Sequence, residues 1–360
     1  MTGDNIKNDV AKLIIENIGN LKRAEITIDS NCIIAGHNNI GKSTITKILY
    51  SIIKGVNLAD KIYTEFLNNT KSLEEKNLEI IKFSKKYNLH VSNSSNLQND
   101  LYTKYLFKYL SSTLGKNILR FGEIEGKIIF SHKNFLLVGI FLNNGSFHIQ
   151  NKGKYTWFQD ATLISSTEVL NYSNLITTAD TYITESFNSA KLVSAQDKDL
   201  IDKLNTESLD MLDENYNIKE GLGFDESGYA FYKENGNEIQ MKMLGTGKKL
   251  FIMLDKLVKN KSIDNNTLVM FDEPEEGMHP EWQLDFIEKL FNMNIPFALT
   301  THSPYIIQSV IYYSNKSKIQ TEYYTVEHNN ELGYAKCLKV SKPLNIVKDL
   351  TNPILKVRGF

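Results

Sequence analysis

The stretch from Cys32 to Leu49, "CIIAGHNNIGKSTITKIL", decides the reading of this chain. "CIIAG" has the composition of a short buried strand, while from Lys42 onward Ile45, Ile48, Leu49, Ile52 and Ile53 recur at the spacing of one helix face. Between the two, Gly36-His37-Asn38-Asn39-Ile40-Gly41-Lys42-Ser43 fits G-x-x-x-x-G-K-[ST], the phosphate-cradling P-loop. A chance match in a chain of this length is on the order of 1 in 100, and the flanking strand and helix lower that.

The physics of that loop assigns its residues. Glycines let backbone N–H groups turn inward around phosphate oxygens, and the helix that follows aims its positive end at the same place. The expected nucleotide contacts are Gly36, Asn38, Asn39, Gly41, Lys42, Ser43 and Thr44, with Lys42 neutralising β/γ charge and Ser43 ligating Mg²⁺.

The last third supplies the complement. "TLVMFDEP" is an apolar strand ending in Asp272 and Glu273, "EWQLDFIEKLF" has helical periodicity, and "PFALTTHSP" is another short strand ending at His302. Strand, helix, strand is the grammar of a parallel sheet. A carboxylate at a strand tip suits a Mg²⁺ shell, which gives Asp272 that role, and the next carboxylate orients or activates water, which makes Glu273 the expected base. His302, beyond the neighbouring strand, is placed to contact the γ-phosphate edge.

A second glycine-flanked turn, "MLGTGKKLFIM" (Met243–Met253), opens another amphipathic helix. One such loop serves one nucleotide, so a second needs its own account. Gly245, Thr246 and Gly247 keep the anion-binding character of a helix N-terminus.

Elsewhere, "KLIIENIGNLKRAEITID" alternates about a Gly-Asn turn and reads as a hairpin, as does "YAFYKENGNEIQMKM" turning at Asn235-Gly236. Strand-like runs occupy Lys127 to Phe130, Leu136 to Leu142 and Ala161 to Ser165. Residues 57–116 read as an inserted helical arm and residues 169–220 as a second polar, mostly helical region. One more helix and a β-rich tail follow His302.

Composition excludes more than it selects. With 41 Lys+Arg against 42 Asp+Glu, no global charge announces nucleic acid or membrane. The longest apolar run, Phe135–Leu142, falls short of the roughly 20 residues a spanning helix needs, and no signal peptide opens the sequence. The 2 cysteines, Cys32 and Cys337, show neither metal-ligand spacing nor a disulfide framework, which suits a reducing compartment. The expectation is a cytoplasmic protein without a membrane partner.

Together the P-loop, the "DEP" strand, the histidine strand and the glycine turn between them resemble the ATP-binding-cassette class of P-loop ATPases. "FDEPEEGMHPEWQ" and "TTHSP" resemble its OLD-type, RecF-like and SMC-like soluble branch. The resemblance implies an α/β P-loop NTPase with a parallel core sheet, an antiparallel β subdomain and helical insertions. It divides the chain into 1–56 with the P-loop, 57–116, 117–168, 169–240 and 241–360. It implies ATP and Mg²⁺, a homodimer in which Gly245–Gly247 of one copy faces the P-loop of the other, and a role for Glu275 to Pro280 beside that interface. His279 either contacts the opposite site or caps the helix after it. "LGTGK" departs from "LSGGQ" at Gly245, which puts turnover more in question than ATP-driven association. The glutamine that such proteins place after a core strand has only Gln159 as a weak match.

Standalone members of this branch occur as ATPases of bacterial antiphage defence, beside a separate effector such as a nuclease. Residues 303–360 read as the end of the ATPase fold, so intrinsic nuclease activity is not expected. The rivals are a DNA-repair head resembling RecF or SMC proteins, a transporter's nucleotide-binding subunit and a non-hydrolysing scaffold. The first would need a basic face, for which Lys82, Lys85, Lys86, Lys104 and Lys108 are available.

Overall fold

The computed structural model describes residues 10–69, 80, 82–87, 89, 97–178, 193–206, 220–329 and 334–357. Two compact units interleave along the sequence, one of residues 1–29, 47–160 and 327–338, the other of residues 30–46, 161–326 and 339–360.

The first unit is built on β1 (Ala11–Ile18), β2 (Leu21–Ile28), β4 (Glu125–His132), β5 (Phe135–Leu142) and β6 (Phe147–Lys152). With β14 (Tyr334–Lys339) they stand in the order β6-β5-β4-β1-β2-β14. Every pairing is antiparallel except β14 along β2. The alternation seen in the sequence is the cause: Leu13 and Ile15 are buried, and their neighbours Lys12 and Ile14 less so.

Helix α1 (Lys42–Asn69) starts in the second unit and continues in the first. Its buried stripe does not stop at Ile53 but runs on through Val56, Ala59, Ile62 and Phe66. The expected boundary at residue 57 therefore falls inside a continuous helix, because the apolar spacing persists where overall composition turns polar. Helix α2 (Leu97–Leu114) crosses α1 at Gly55, where a Cβ would lie 2.8 Å from Leu106 Cα. On α2, Lys104 donates to the Tyr87 carbonyl, and burial pushes the Lys108 amine down to about 8.

In the second unit β3 (Asn31–Ala35), β7 (Asp160–Ile164), β11 (Thr267–Asp272), β12 (Phe297–Thr301) and β13 (Thr321–Asn329) take the order β13-β3-β12-β11-β7. The pairs β13–β3, β3–β12 and β12–β11 are parallel. Every residue of β3 and β12 is buried, as continuous apolar runs in a parallel sheet require. Aromatic contacts tie the sheet to its helices: Phe271 meets Phe286 edge-on at 5.2 Å and Phe297 meets Phe291 at 5.6 Å.

A small sheet of β8 (Gly221–Phe224), β9 (Ala230–Glu234) and β10 (Asn237–Gln240) belongs to the same unit. Its hairpin turns at Asn235 and Gly236, both left-handed, as a two-residue turn of this kind demands. Between β7 and β8 lie a 3₁₀ turn (Thr167–Tyr172) and helices α3 (Ser173–Thr178) and α4 (Ala195–Asn205); much of the expected polar region falls outside the described residues. Further helices among the described residues include α5 (Thr246–Lys259), α6 (Pro280–Met293), α7 (Pro304–Ser317) and α8 (Leu344–Val357). The tail after α7, expected to be β-rich, is two strands followed by a helix.

Candidate nucleotide site

At the end of β3 the chain turns through Gly36, whose φ of +145° suits only glycine and whose added Cβ would sit 2.6 Å from the Val326 carbonyl oxygen. Its N–H donates to Thr301 O at 3.3 Å, which seats the loop on β12. Asn38 and Asn39 are exposed, with Asn39 left-handed, and Ser43 and Thr44 stand part-exposed in the first turn of α1. That turn carries no acid of its own.

Lys42 folds back under the loop and is only 3% exposed. Its Nζ donates to Gly36 O at 2.9 Å and His37 O at 2.6 Å, and stands 2.8 Å from Glu273 Oε1. A buried ammonium needs such partners, since an uncompensated charge away from water is costly.

Glu273 holds φ +50°, a strained state for a glutamate. Its N–H donates to both Thr300 O and Thr300 Oγ1 at 3.1 Å, and Thr300 Oγ1 donates in turn to Asp272 Oδ1 at 2.5 Å. One buried threonine on β12 thereby fixes both acids at the tip of β11. Because β12 lies between β3 and β11, the loop, the acid pair and His302 converge at one end of three parallel strands. This is the arrangement of a P-loop nucleotide-binding fold.

Within this P-loop fold His302 sits between two acids. Its buried Nδ1 is 3.5 Å from Glu273 Oε2 and 3.1 Å from Glu275 Oε1, the latter off the line of a hydrogen bond. Glu275 is almost fully buried, and burial raises its carboxyl above the ordinary range, against the pull of hydrogen bonds from Thr301 Oγ1 and His302 N–H, each 2.7 Å from Oε1. Neither Thr300 nor Glu275 was singled out as a site residue. The "TT" before His302 and the third acid of "DEPE" were the available signals.

The second glycine turn is the N-terminus of α5, with Gly245 at the N-cap and no side-chain cap. Gly247 packs under Trp282 so closely that a Cβ would meet its ring at 2.5 Å, whereas at Gly245 nothing lies within 4 Å. Thr246 stands against Gly277 of the loop after β11, 3.2 Å from where a Cβ would be. Buried Lys249 fastens α5 to the 3₁₀ turn through Glu168 at 3.1 Å and Asn171 at 3.0 Å. A cavity of about 340 Å³ lies here, lined among others by Ser165, Thr167, Thr246, Asp272, Glu273 and Gly277. Gln159 is exposed ahead of β7. The glutamine at the far end of β7 is Gln196 of α4, whose Nε2 donates to Ser165 Oγ at 3.0 Å, a pairing across sequence that periodicity does not reveal. His279 is the N-cap of α6, accepting from Glu281 N–H at 3.4 Å.

No family model matches the chain. A segment covering 21% of it is 35% identical to a probable ATPase of retron Vc95 from Vibrio cholerae serotype O1 biovar El Tor; the match spans 17% of that protein. Among solved structures, the SMC head domain from Thermotoga maritima superposes with a TM-score of 0.44 at 12% identity, covering 93% of this chain and 100% of its own. An SMC head bound to the C-terminal winged-helix domain of ScpA gives 0.48 at 11%, over 92% and 98% of the two chains. The SMC head with an extended coiled coil from Pyrococcus furiosus, bound to the ScpA C-terminal domain, gives 0.46 at 9%, over 97% and 99%.

A nucleoside triphosphate with Mg²⁺ fits these residues. The loop offers a backbone cradle that a Cβ at Gly36 would disrupt, a buried ammonium and a helix N-terminus with no acid in its own first turn. Ser43 and Asp272 are hard oxygen donors, and no cluster of three or more His, Cys, Asp or Glu able to hold a metal occurs among the described residues. Mg²⁺ is commonly held by one or two protein oxygens together with substrate phosphates. Among the described residues no helix is long and apolar enough to cross a membrane.

Proposed function

We propose that the protein binds and hydrolyses ATP, dimerises around it, and acts as the motor or switch subunit of a bacterial antiphage system that controls a separate effector. The observation that carries the ATPase reading is the Lys42–Glu273 contact of 2.8 Å, which puts the P-loop lysine and the acid after β11 in one site. In this reading Gly36, Asn38, Asn39, Gly41, Lys42, Ser43 and Thr44 bind the phosphates. Ser43 and Asp272 would hold Mg²⁺, which neutralises charge between the β- and γ-phosphates. Glu273 orients the attacking water and His302 contacts the γ-phosphate. Gly245, Thr246 and Gly247 complete the site of a second copy, which accounts for the second glycine loop; hence the proposed homodimer. The defence role is supported by the partial likeness to the retron ATPase, and the effector, of which a nuclease is one class, is a separate protein.

The test is phosphate release and solution mass with and without ATP·Mg²⁺, for the wild type, Lys42→Ala and Glu273→Gln. The expected result is multiple turnover abolished in both variants, and an ATP-dependent gain in mass that Lys42→Ala loses and Glu273→Gln keeps. Turnover that survives Lys42→Ala overturns the assignment of the site. A mass indifferent to bound nucleotide overturns the dimer.

A further inference from the structure

Glu275 has no task in the phosphate chemistry just assigned, yet its carboxyl is 4% exposed and lies at the centre of the site's polar connections. Oε1 already accepts from Thr301 Oγ1 and His302 N–H, both at 2.7 Å. Oε2 is buried without a hydrogen-bond partner, and so is Nδ1 of His302, which lies 3.1 Å from Oε1 of the same carboxylate. A buried ring nitrogen left unsatisfied is unfavourable, and a proton on Nδ1 directed at this carboxylate satisfies it. Of the two acids facing Nδ1, Glu273 is engaged with Lys42, and Glu275 has no cationic side chain in contact besides His302 among the contacts described. With Nδ1 turned inward, the other ring nitrogen, Nε2, is left for the part-exposed side of the imidazole, which is 40% exposed overall.

The same carboxylate belongs to the loop after β11. Glu275 O accepts from Met278 N–H at 3.0 Å, Gly277 rests against Thr246, and Gln283 links Met278 O at 3.1 Å to Ser303 Oγ at 2.5 Å. The network therefore joins the residue after β12 to the glycine turn of α5 within one chain.

We propose that Glu275 is a positioning residue. Its buried carboxylate keeps a proton on Nδ1 of His302, turns Nε2 toward the γ-phosphate, and ties that imidazole to the loop that carries Gly277 against Thr246. The kinetic part rests on the nucleotide reading above; the orientation of the ring does not. Histidine orientation by a buried carboxylate is a general device, and replacing the acid by its amide reverses which nitrogen bears the proton.

The experiment compares wild type with Glu275→Gln and Glu275→Asp, using histidine ring ¹⁵N spectra with His302 assigned by its loss in His302→Gln, together with steady-state ATP hydrolysis. The wild type is expected to show Nδ1 protonated, Glu275→Gln to lose that proton, and Glu275→Asp to restore it in part. In turnover, Glu275→Gln lowers kcat about ten-fold or more with KM changed by less than about two-fold, the split of a group that acts after binding. A wild-type ring unprotonated at Nδ1, or a Glu275→Gln protein with unchanged ring signals and kcat, overturns the proposal. If the wild type hydrolyses no ATP, the nucleotide reading fails and the ring signals alone decide about Glu275.

Discussion

Lys42 Nζ and Glu273 Oε1 stand 2.8 Å apart, with the lysine side chain 2% and the glutamate 19% exposed. A phosphate entering the loop competes with Glu273 for this ammonium. Charge-assisted bonds of this kind are the strong ones, so breaking the pair opposes nucleotide binding while freeing the acid for water. Glu273→Gln removes the competitor. Its expected effect is ATP affinity raised about ten-fold, from the loss of about 1.4 kcal/mol of competing interaction, with turnover lost. Equilibrium titration with a fluorescent ATP analogue checks it, and equal or weaker affinity in Glu273→Gln contradicts it.

The turn "LGTGK" differs from "LSGGQ" at Gly245, Thr246 and Lys248, and the space above Gly245 is open. At φ −67°, ψ 152° it has the ordinary geometry of an N-cap. Gly245→Ser should be accommodated without strain and add a few tenths of a kcal/mol through a capping bond. If the turn serves a second copy's γ-phosphate, the added hydroxyl raises kcat as well. Thermal melting and steady-state kinetics separate the two effects, and a loss of stability would show that the site is not open in solution. Gly247→Ala, by contrast, drives a methyl into Trp282 and is expected to cost about 1–3 kcal/mol.

Burial raises the Glu275 carboxyl above its unfolded value. The neutral form is therefore the better tolerated one in the fold. Its contribution to stability is fully present below the unfolded value, about 4.3, and is lost as pH rises through the higher folded value. Glu275→Gln keeps the neutral shape at every pH. Its melting temperature should exceed that of the wild type by about 1–3 °C at pH 8, and the gap should close toward pH 4. A gap of opposite sign or one independent of pH would count against a buried acid. With the turnover loss expected of the same variant, the position trades stability for function.

Both cysteines are interior: Cys32 is fully buried in β3, and burial pushes the Cys337 thiol up to about 12. Ellman's reagent at pH 8 should find no fast-reacting thiol in the native protein and both thiols in denaturant. Rapid native labelling of either would mean that β3 or β14 opens readily.

The loop from Gly36 to Ser43, the acids Asp272 and Glu273 and the strand before His302 were legible because each is a local pattern: residues that must be adjacent in sequence to make one turn or one strand tip. The two hairpins were legible for the same reason, through alternation and an Asn-Gly turn. The full length of α1 was also written in its spacing, at Val56, Ala59, Ile62 and Phe66, although the polar composition around these residues obscured it. Other features depended on the assembled sheet. Thr300 bridging Asp272 to Glu273, Glu275 beside His302, and Gln196 at Ser165 join residues on different elements, and nothing in either element's own sequence names its partner. By itself the sequence determined that this chain carries a phosphate loop, an acid pair and a histidine on strands of a parallel sheet, since glycine geometry and apolar periodicity are local constraints. Only the tertiary structure decided that β12 lies between β3 and β11, because strand order is set by packing across the sheet. That order sets Glu273 beside both Lys42 and His302, and His302 beside Glu275.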